Sequence, residues 1–305
     1  MRLTIKTPLT TAAILTFAAC ASSGGGEDAP GALFFGATDS TASGNGLPFA
    51  NDGGDVGDLE GQTATVLLPR TILNNAIGGA EQEVLEGQAS FGPDDAVSLV
   101  VDGETLNFVE GVATRADGTT IEIQELFITL GTGVRLFQIF ADGDFGGRID
   151  QIEFAHFIVG AETNPDAIPL MPGTVLYTGG VRGRLFNEAG SAGASGELSG
   201  AIQLSVTFGD GTVSGDVFLN TDGPSINLGL APTAITGNGF AGDLTIVSCT
   251  IGTCTSNSEI GGVFMGENAE SIGGILDLDI GVTDSEGNTS DLVGNGGFIA
   301  FDQES

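Results

Sequence analysis

Between residues 171 and 301 apolar and polar side chains alternate with a period of two. In 201–208, Ile202, Leu204, Val206 and Phe208 fall on one face, and Gln203, Ser205 and Thr207 on the other. In 276–282, Leu276, Leu278, Ile280 and Val282 oppose Asp277 and Asp279. This is the pattern of a strand with one face on a core and one in water. Segments 212–219, 242–249, 259–266 and 297–301 repeat the theme. Turn signals at Asp210-Gly211, Asp222-Gly223, Gly237-Asn238-Gly239 and Glu286-Gly287-Asn288 separate them. About eight strands with short connections fit here, the spacing of an antiparallel up-and-down barrel. Pairing 174–177 with 298–301 would close it and remove its edges. An open sandwich of the same strands is the alternative. Gly200, Gly215, Gly261 and Gly262, inside strands, suit tight coiling or close backbone approach.

The first half reads as strands too, less regularly. Candidates are 63–68, 96–101, 105–109, 120–130 and 134–140, with Asp102-Gly103 and Asp117-Gly118 as hairpin turns. Residues 72–76, ILNNA, read as a helical turn. Residues 163–173 hold Pro165, Pro169 and Pro172, which neither donate to a ladder nor continue a helix. A boundary falls there. The expected organisation is a leader over 1–19, a flexible Gly/Asp-rich tether over 20–60, a β-rich unit over 61–168 and a barrel over 169–305.

The barrel segment carries a resemblance. MPGTVLYTGGVRG (171–183), FGDGTVSG (208–215), ITGNGFAGDL (235–244) and SEIGGVFMGENAESIGGIL (258–276) follow one another in order, and Gly296–Phe301 ends the run. In order and spacing these resemble the C-terminal barrel of transferrin-binding protein B-like lipoproteins. The resemblance implies an all-β fold: an eight-stranded barrel preceded by a smaller β-rich handle. It also implies a lipid-anchored, non-catalytic envelope protein that captures a solute or protein partner, alongside an outer-membrane uptake receptor. A structural or adhesive surface lipoprotein with no small-molecule ligand is the rival reading.

The N-terminus changes where the chain is expected to work. Arg2 and Lys6 precede an apolar run over 9–19, too short to span a bilayer, which needs about 20 residues. It ends Phe17-Ala18-Ala19-Cys20, similar to a bacterial lipobox, with Phe where an aliphatic residue is usual. Cys20 is then the acylated mature N-terminus and the membrane anchor. Export leaves Cys249 and Cys254 as a pair around Ile251-Gly252, expected to form a disulfide in an oxidising compartment.

Charge sharpens the picture. The chain holds 40 Asp plus Glu against 8 Lys plus Arg, a net charge of −32. With Arg2 and Lys6 removed, six arginines and no lysine remain, and residues 185–305 contain no Lys, Arg or His. Nucleic acid, which needs clustered cations, is excluded as a partner. An anionic ligand would need the first half, Arg182 and Arg184 at the barrel entrance, or backbone amides. The acidic surface is read as salt adaptation or as a face for cationic partners.

Candidate chemistry is sparse. His156, in IEFAHFIVG, is the single imidazole, with no nucleophile motif beside it. Sugar clefts lean on aromatic stacking, and the chain has no Trp and one Tyr. The expectation is therefore that the protein is not an enzyme. Residues 142–153, DGDFGGRIDQIE, resemble an EF-hand loop, with Asp142, Asp144, Asp150 and Glu153 as ligands for a weakly held calcium. Gly146 replaces one ligand, and the flanks are β-branched and aromatic. An acidic hairpin loop without metal is the plainer reading, and no other cofactor is expected.

Overall fold

A computed structural model describes residues 61–303 and the short strand Ala37–Thr38. It omits 75–79, 129–133, 143–150, 188–195 and a few shorter turn and linker positions. Cys20 and the leader lie outside the described residues.

The first sheet contains β1 (Ala37–Thr38), β2 (Thr63–Asn74), β3 (Ala80–Phe91), β4 (Val97–Val101), β5 (Glu104–Phe108), β6 (Val112–Thr114), β7 (Thr120–Ile128), β8 (Arg135–Asp142) and β9 (Gln151–Val159). Its order is β5-β4-β3-β2-β9-β8-β7-β6, with β1 against β2. Each strand is followed by its neighbour, and β9 returns to β2. A two-residue turn joins β5 to β6, with a bridge from Val109 to Val112. Glu110 and Gly111 there have φ of 52° and 80°, the positive pair that a two-residue hairpin needs. The sheet thus curls almost full circle around Val66, Leu68, Leu99, Leu106, Phe108, Ile121, Phe137 and Phe157.

The second sheet contains β10 (Thr174–Asn187), β11 (Glu197–Thr207), β12 (Thr212–Asn220), β13 (Ser225–Thr236), β14 (Gly239–Cys249), β15 (Thr253–Ser256), β16 (Glu259–Met265), β17 (Ser271–Thr283) and β18 (Thr289–Asp302). Strands β10 to β14 and β16 to β18 form a closed eight-stranded antiparallel barrel, with β18 pairing both β17 and β10. Strand β15 lies end to end with β16. Both pair with β17 in one continuous register, from Thr253 opposite Thr283 to Met265 opposite Ser271. The interruption at Asn257-Ser258 is bonded to the same residue of β17: Ser258 Oγ accepts from Asp279 N, and Asn257 Nδ2 donates to Asp279 Oδ2.

The alternation read from sequence points as expected. Ile202, Leu204, Val206, Phe208, Leu276, Leu278, Ile280 and Val282 are all buried in the barrel core. A Cβ on Gly200 would strike the carbonyl of Phe218, and one on Gly215 that of Gln203. Close approach of neighbouring strands therefore fixes glycine at both positions.

Three details differ from the sequence reading. Residues 72–74 continue β2 as strand, with Ile72 opposite Glu153 of β9; pairing on both sides overrides the weak helical signal. Strand β13 lies outside the segments that read as strand, although Ile226, Leu228 and Leu230 alternate into the core before Pro232. Its proline sits where pairing with β14 slips between Leu230 and Ile235, so no ladder donor is lost. The barrel does close through β10 and β18, but in a different register. Thr178 faces Phe301 and Val181 faces Phe298, while Thr174 to Leu176 overhang β18 and pair with β11 alone. Strands of a closed barrel are staggered by its shear, so like ends do not meet.

Candidate functional site

The barrel interior is a packed core. Tyr177, Phe208, Phe240 and Phe264 cluster inside it, and Tyr177 Oη donates to the Ala269 carbonyl at 2.6 Å. Burial, then Asp302 and Glu270 nearby, push the Tyr177 hydroxyl pKa up. Recognition therefore falls to outer surfaces and to the junction between the sheets.

The handle packs on the outer wall of the barrel. On β8 and β9, Phe137, Ile139, Ala155 and Phe157 point into the handle core. Alternate positions point outward, towards the barrel. Of these, Leu136 and Ile158 join Val263, Met265, Ile275 and Ile299 in one apolar cluster, and Phe154 joins Val293 in a second. Gly297 on β18 is needed here, because a Cβ would run into the Leu136 side chain.

Between the two apolar clusters lies a buried polar row. His156 Nδ1 is 2.5 Å from Asn295 Oδ1, and Asn295 Nδ2 donates to Thr71 Oγ1 at 2.7 Å. His156 Nε2 is 3.3 Å from Gln138 Oε1. Burial, the largest cause, lowers the His156 pKa to about 4, with Arg184 adding to the fall and the Asn295 bond opposing it. The ring is neutral at physiological pH. With Asn295 Oδ1 as acceptor, the proton sits on Nδ1. Nε2 then needs an amide N–H, which a half-turn of the Gln138 carboxamide supplies. This histidine is a structural link between the sheets. Asn295, Thr71 and Gln138 were not singled out from the sequence. The available signal was one Asn inside the small and apolar run VGNGGFIAF.

Two further contacts lock the junction. Gln82 Nε2 donates to Asp277 Oδ1 at 2.6 Å and to the Gly294 carbonyl at 3.1 Å. Burial, then Glu259 and Asp279, raise the Asp277 pKa to about 6. After β9, the connector lies on the barrel rim: Thr163 N donates to the Phe264 carbonyl, and Asn238 Nδ2 to Glu162 Oε2 at 2.8 Å.

Beside the polar row, a cleft of ≈ 420 Å³ opens between the sheets. Gln124, Leu126 and Gln138 line it from the handle. Arg182, Arg184, Glu197, Ser199, Asn220 and Thr221 line it from the barrel. Because Val181 and Leu185 point into the core, Arg182 and Arg184 stand on the outer wall, not at the mouth of the barrel. The Arg184 guanidinium lies 3.9 Å over the Phe140 ring.

The remaining sequence candidates are scattered. Cys249 and Cys254 form a disulfide, S–S 2.02 Å, tying the end of β14 to β15. Of the calcium candidates, Asp142 ends β8 opposite Ile152, and Glu153 of β9 faces Ala141. Asp144 and Asp150 lie outside the described residues. The flanks are paired strands, where an EF-hand has helices. Among the described residues no group of three or more metal-ligating side chains gathers.

Residues 171–300 match the family model for the C-lobe and N-lobe β barrels of transferrin-binding protein B. The second sheet is a barrel of that kind. Among solved structures, a variant of transferrin-binding protein B from Haemophilus parasuis Hp5 overlaps at 16% identity, with a TM-score of 0.39, covering 79% of this chain and 45% of that one. The isotype 1 protein from serogroup B Neisseria meningitidis overlaps at 16% identity and a TM-score of 0.37, covering 79% and 44%. The chain thus spans less than half the length of either. The family match over the barrel, not these overlays, carries the assignment. No relative is found among curated proteins.

Proposed function

We propose that the protein is a non-catalytic capture protein of the bacterial envelope, anchored to the outer membrane through acylated Cys20 and working beside an outer-membrane uptake receptor. The observation that carries this reading is a barrel of the transferrin-binding protein B type whose interior is filled, so that binding must use its outside. The leader, the Gly/Ser-rich tether after Cys20 and the absence of lysine beyond Lys6 fit an exported, surface-facing chain. The partner is a protein with a neutral or basic face, because the barrel beyond Arg184 offers 16 carboxylates and no cation.

Two measurements test this. Replacing Cys20 by Ala should move the protein from the outer-membrane fraction to the soluble fraction. The mature chain, immobilised at high salt with and without chelator, should then retain one partner in stoichiometric amount. A structural or adhesive protein would stay membrane-bound through Cys20 yet retain none. Unchanged fractionation of the Cys20 variant would overturn the anchor.

A further inference from the structure

The barrel wall on the far side from the handle carries a notch. The apolar contacts of the handle run over β16, β17, β18 and β10. Strand β13 is the fourth strand from β18, counted either way round the barrel. Gly229 stands on its outer face, between inward Leu228 and Leu230. A Cβ placed on Gly229 would lie 2.9 Å from Val247 Cγ2, 3.9 Å from Thr245 Oγ1 and 4.0 Å from Asp216 Oδ1. A methyl, a hydroxyl and a carboxylate thus converge on the space that the missing side chain leaves. Asp216 faces Gly229 across the ladder, and Phe218 stands two positions along from Asp216 on the same face. Among the described residues, the large apolar side chains left exposed on the barrel are Leu176, Phe218 and Val247, at 41%, 42% and 58%. Two of these three border the notch. Thr245 Oγ1 donates to the Gly229 carbonyl at 3.2 Å and keeps its lone pairs as acceptors. Strands β11 to β14 all lie within 185–305, which holds no Lys, Arg or His, so no strand of this wall supplies a cation to Asp216.

We infer that this notch takes an arginine side chain of the captured protein. The arginine stem fills the space over Gly229 against Val247. Its guanidinium presents N–H groups to Asp216 and Thr245 and a flat face to Phe218. Lysine fits less well, because a compact ammonium neither forks nor stacks. A second copy of this chain is a poor occupant: its barrel beyond Arg184 offers no cation, and two chains of this net charge repel each other. An exposed ion pair alone contributes little, so the apolar side chains that shed water around it carry much of the recognition. The inference deepens the capture reading and rests on it for the partner, a protein whose arginine sits between apolar neighbours. The notch itself can be tested without that partner.

The sequence has no Trp, so Phe218→Trp places a lone indole fluorophore at the notch. The probe is the peptide acetyl-Leu-Arg-Leu-amide, titrated into the mature Phe218→Trp chain in mild detergent at physiological salt, where charges beyond about 8 Å are largely screened. The expected result is a saturable change in indole emission with a Kd of about 1 mM. The same peptide with neutral citrulline in place of arginine should leave the emission unchanged. Asp216→Asn should weaken binding at least ~5-fold by removing the charge-assisted pair. Gly229→Ala, which fills the floor, should weaken it as well. Asp291→Asn, which removes the same charge from an exposed position of β18 across the barrel, should change nothing. No saturable response up to ~20 mM peptide, an equal response to the citrulline peptide, or indifference to Asp216→Asn overturns the assignment. So does equal weakening by Asp291→Asn, which would mean attraction to net charge alone. Peptide binding by a chain that retains no protein partner would leave the notch standing and sink the capture reading. A partner retained undiminished by Asp216→Asn, with no peptide response, would do the reverse.

Discussion

His156 Nδ1 and Asn295 Oδ1 stand 2.5 Å apart, one on the last strand of the handle and the other on the closing strand of the barrel. A neutral imidazole held by one amide, with apolar clusters above and below, makes the two sheets one packed unit. Charging that ring puts an ion where no carboxylate is bonded to it and where Arg184 already opposes it.

Stability should therefore depend on His156 in acid. Its folded pKa is about 4, below the ordinary 6.5, so the unfolded chain binds the extra proton between those values. The His156 contribution is complete above pH 6.5 and is lost as pH falls to about 4, by on the order of 3 kcal/mol. Urea midpoints of His156→Gln against the parent, measured across that window, should converge at the acid end. A constant gap at all pH values would place the burial of His156 in doubt.

Asp277 should act in the opposite sense. Its folded pKa is raised to about 6 from 3.8, so its protonated form is favoured in the fold, and stability declines as pH rises through that interval. Asp277→Asn keeps the acceptor for Gln82 and removes the charge. It should raise stability at pH 7 by roughly 1–2 kcal/mol and have no effect near pH 4. Thermal melts at the two pH values separate this from a change in packing.

At the junction, Gly297 leaves no room for a side chain beside Leu136. Gly297→Val should destabilise by about 1–3 kcal/mol through overpacking, and Leu136→Ala in the same chain should recover part of the loss. A double-mutant cycle with zero coupling would mean that the sheets do not meet there.

Reducing the Cys249–Cys254 bond should cost about 2 kcal/mol, the loop-entropy value for a short ring. Hydrogen exchange should rise at β15 and the end of β14 and leave β10, β17 and β18 protected. A global loss of protection would show that the bond staples more than this corner.

The barrel was legible because staves such as β11 and the second half of β17 alternate strictly and are parted by Asp-Gly and Asn-Gly turns. Strand β13, interrupted by Pro232, was missed, and so was the closing register, since the stagger of a closed barrel is a global property that no local pattern encodes. Strand β3 was less legible, because AEQEVLEGQASF carries four acidic or amide residues in its first seven. The candidate site was nearly invisible. Arg182 and Arg184 drew attention by their rarity, but Gln124, Gln138 and Asn220 are ordinary polar residues that only packing of one sheet on the other brings together. His156 was read as having no special role. Its partner lies 139 positions away, a pairing that no spacing rule reaches.

Arg184 is also the final point at which a trypsin-like protease could cut. Everything from Leu185 onward, including seven of the eight barrel staves, is a single limit fragment whether folded or not. Beyond Lys6 the sequence holds no lysine, so from residue 7 onward no side chain offers a primary amine to amine-seeking labels. Attaching a probe to the barrel calls for acid-directed chemistry, since Cys249 and Cys254 are held in a disulfide.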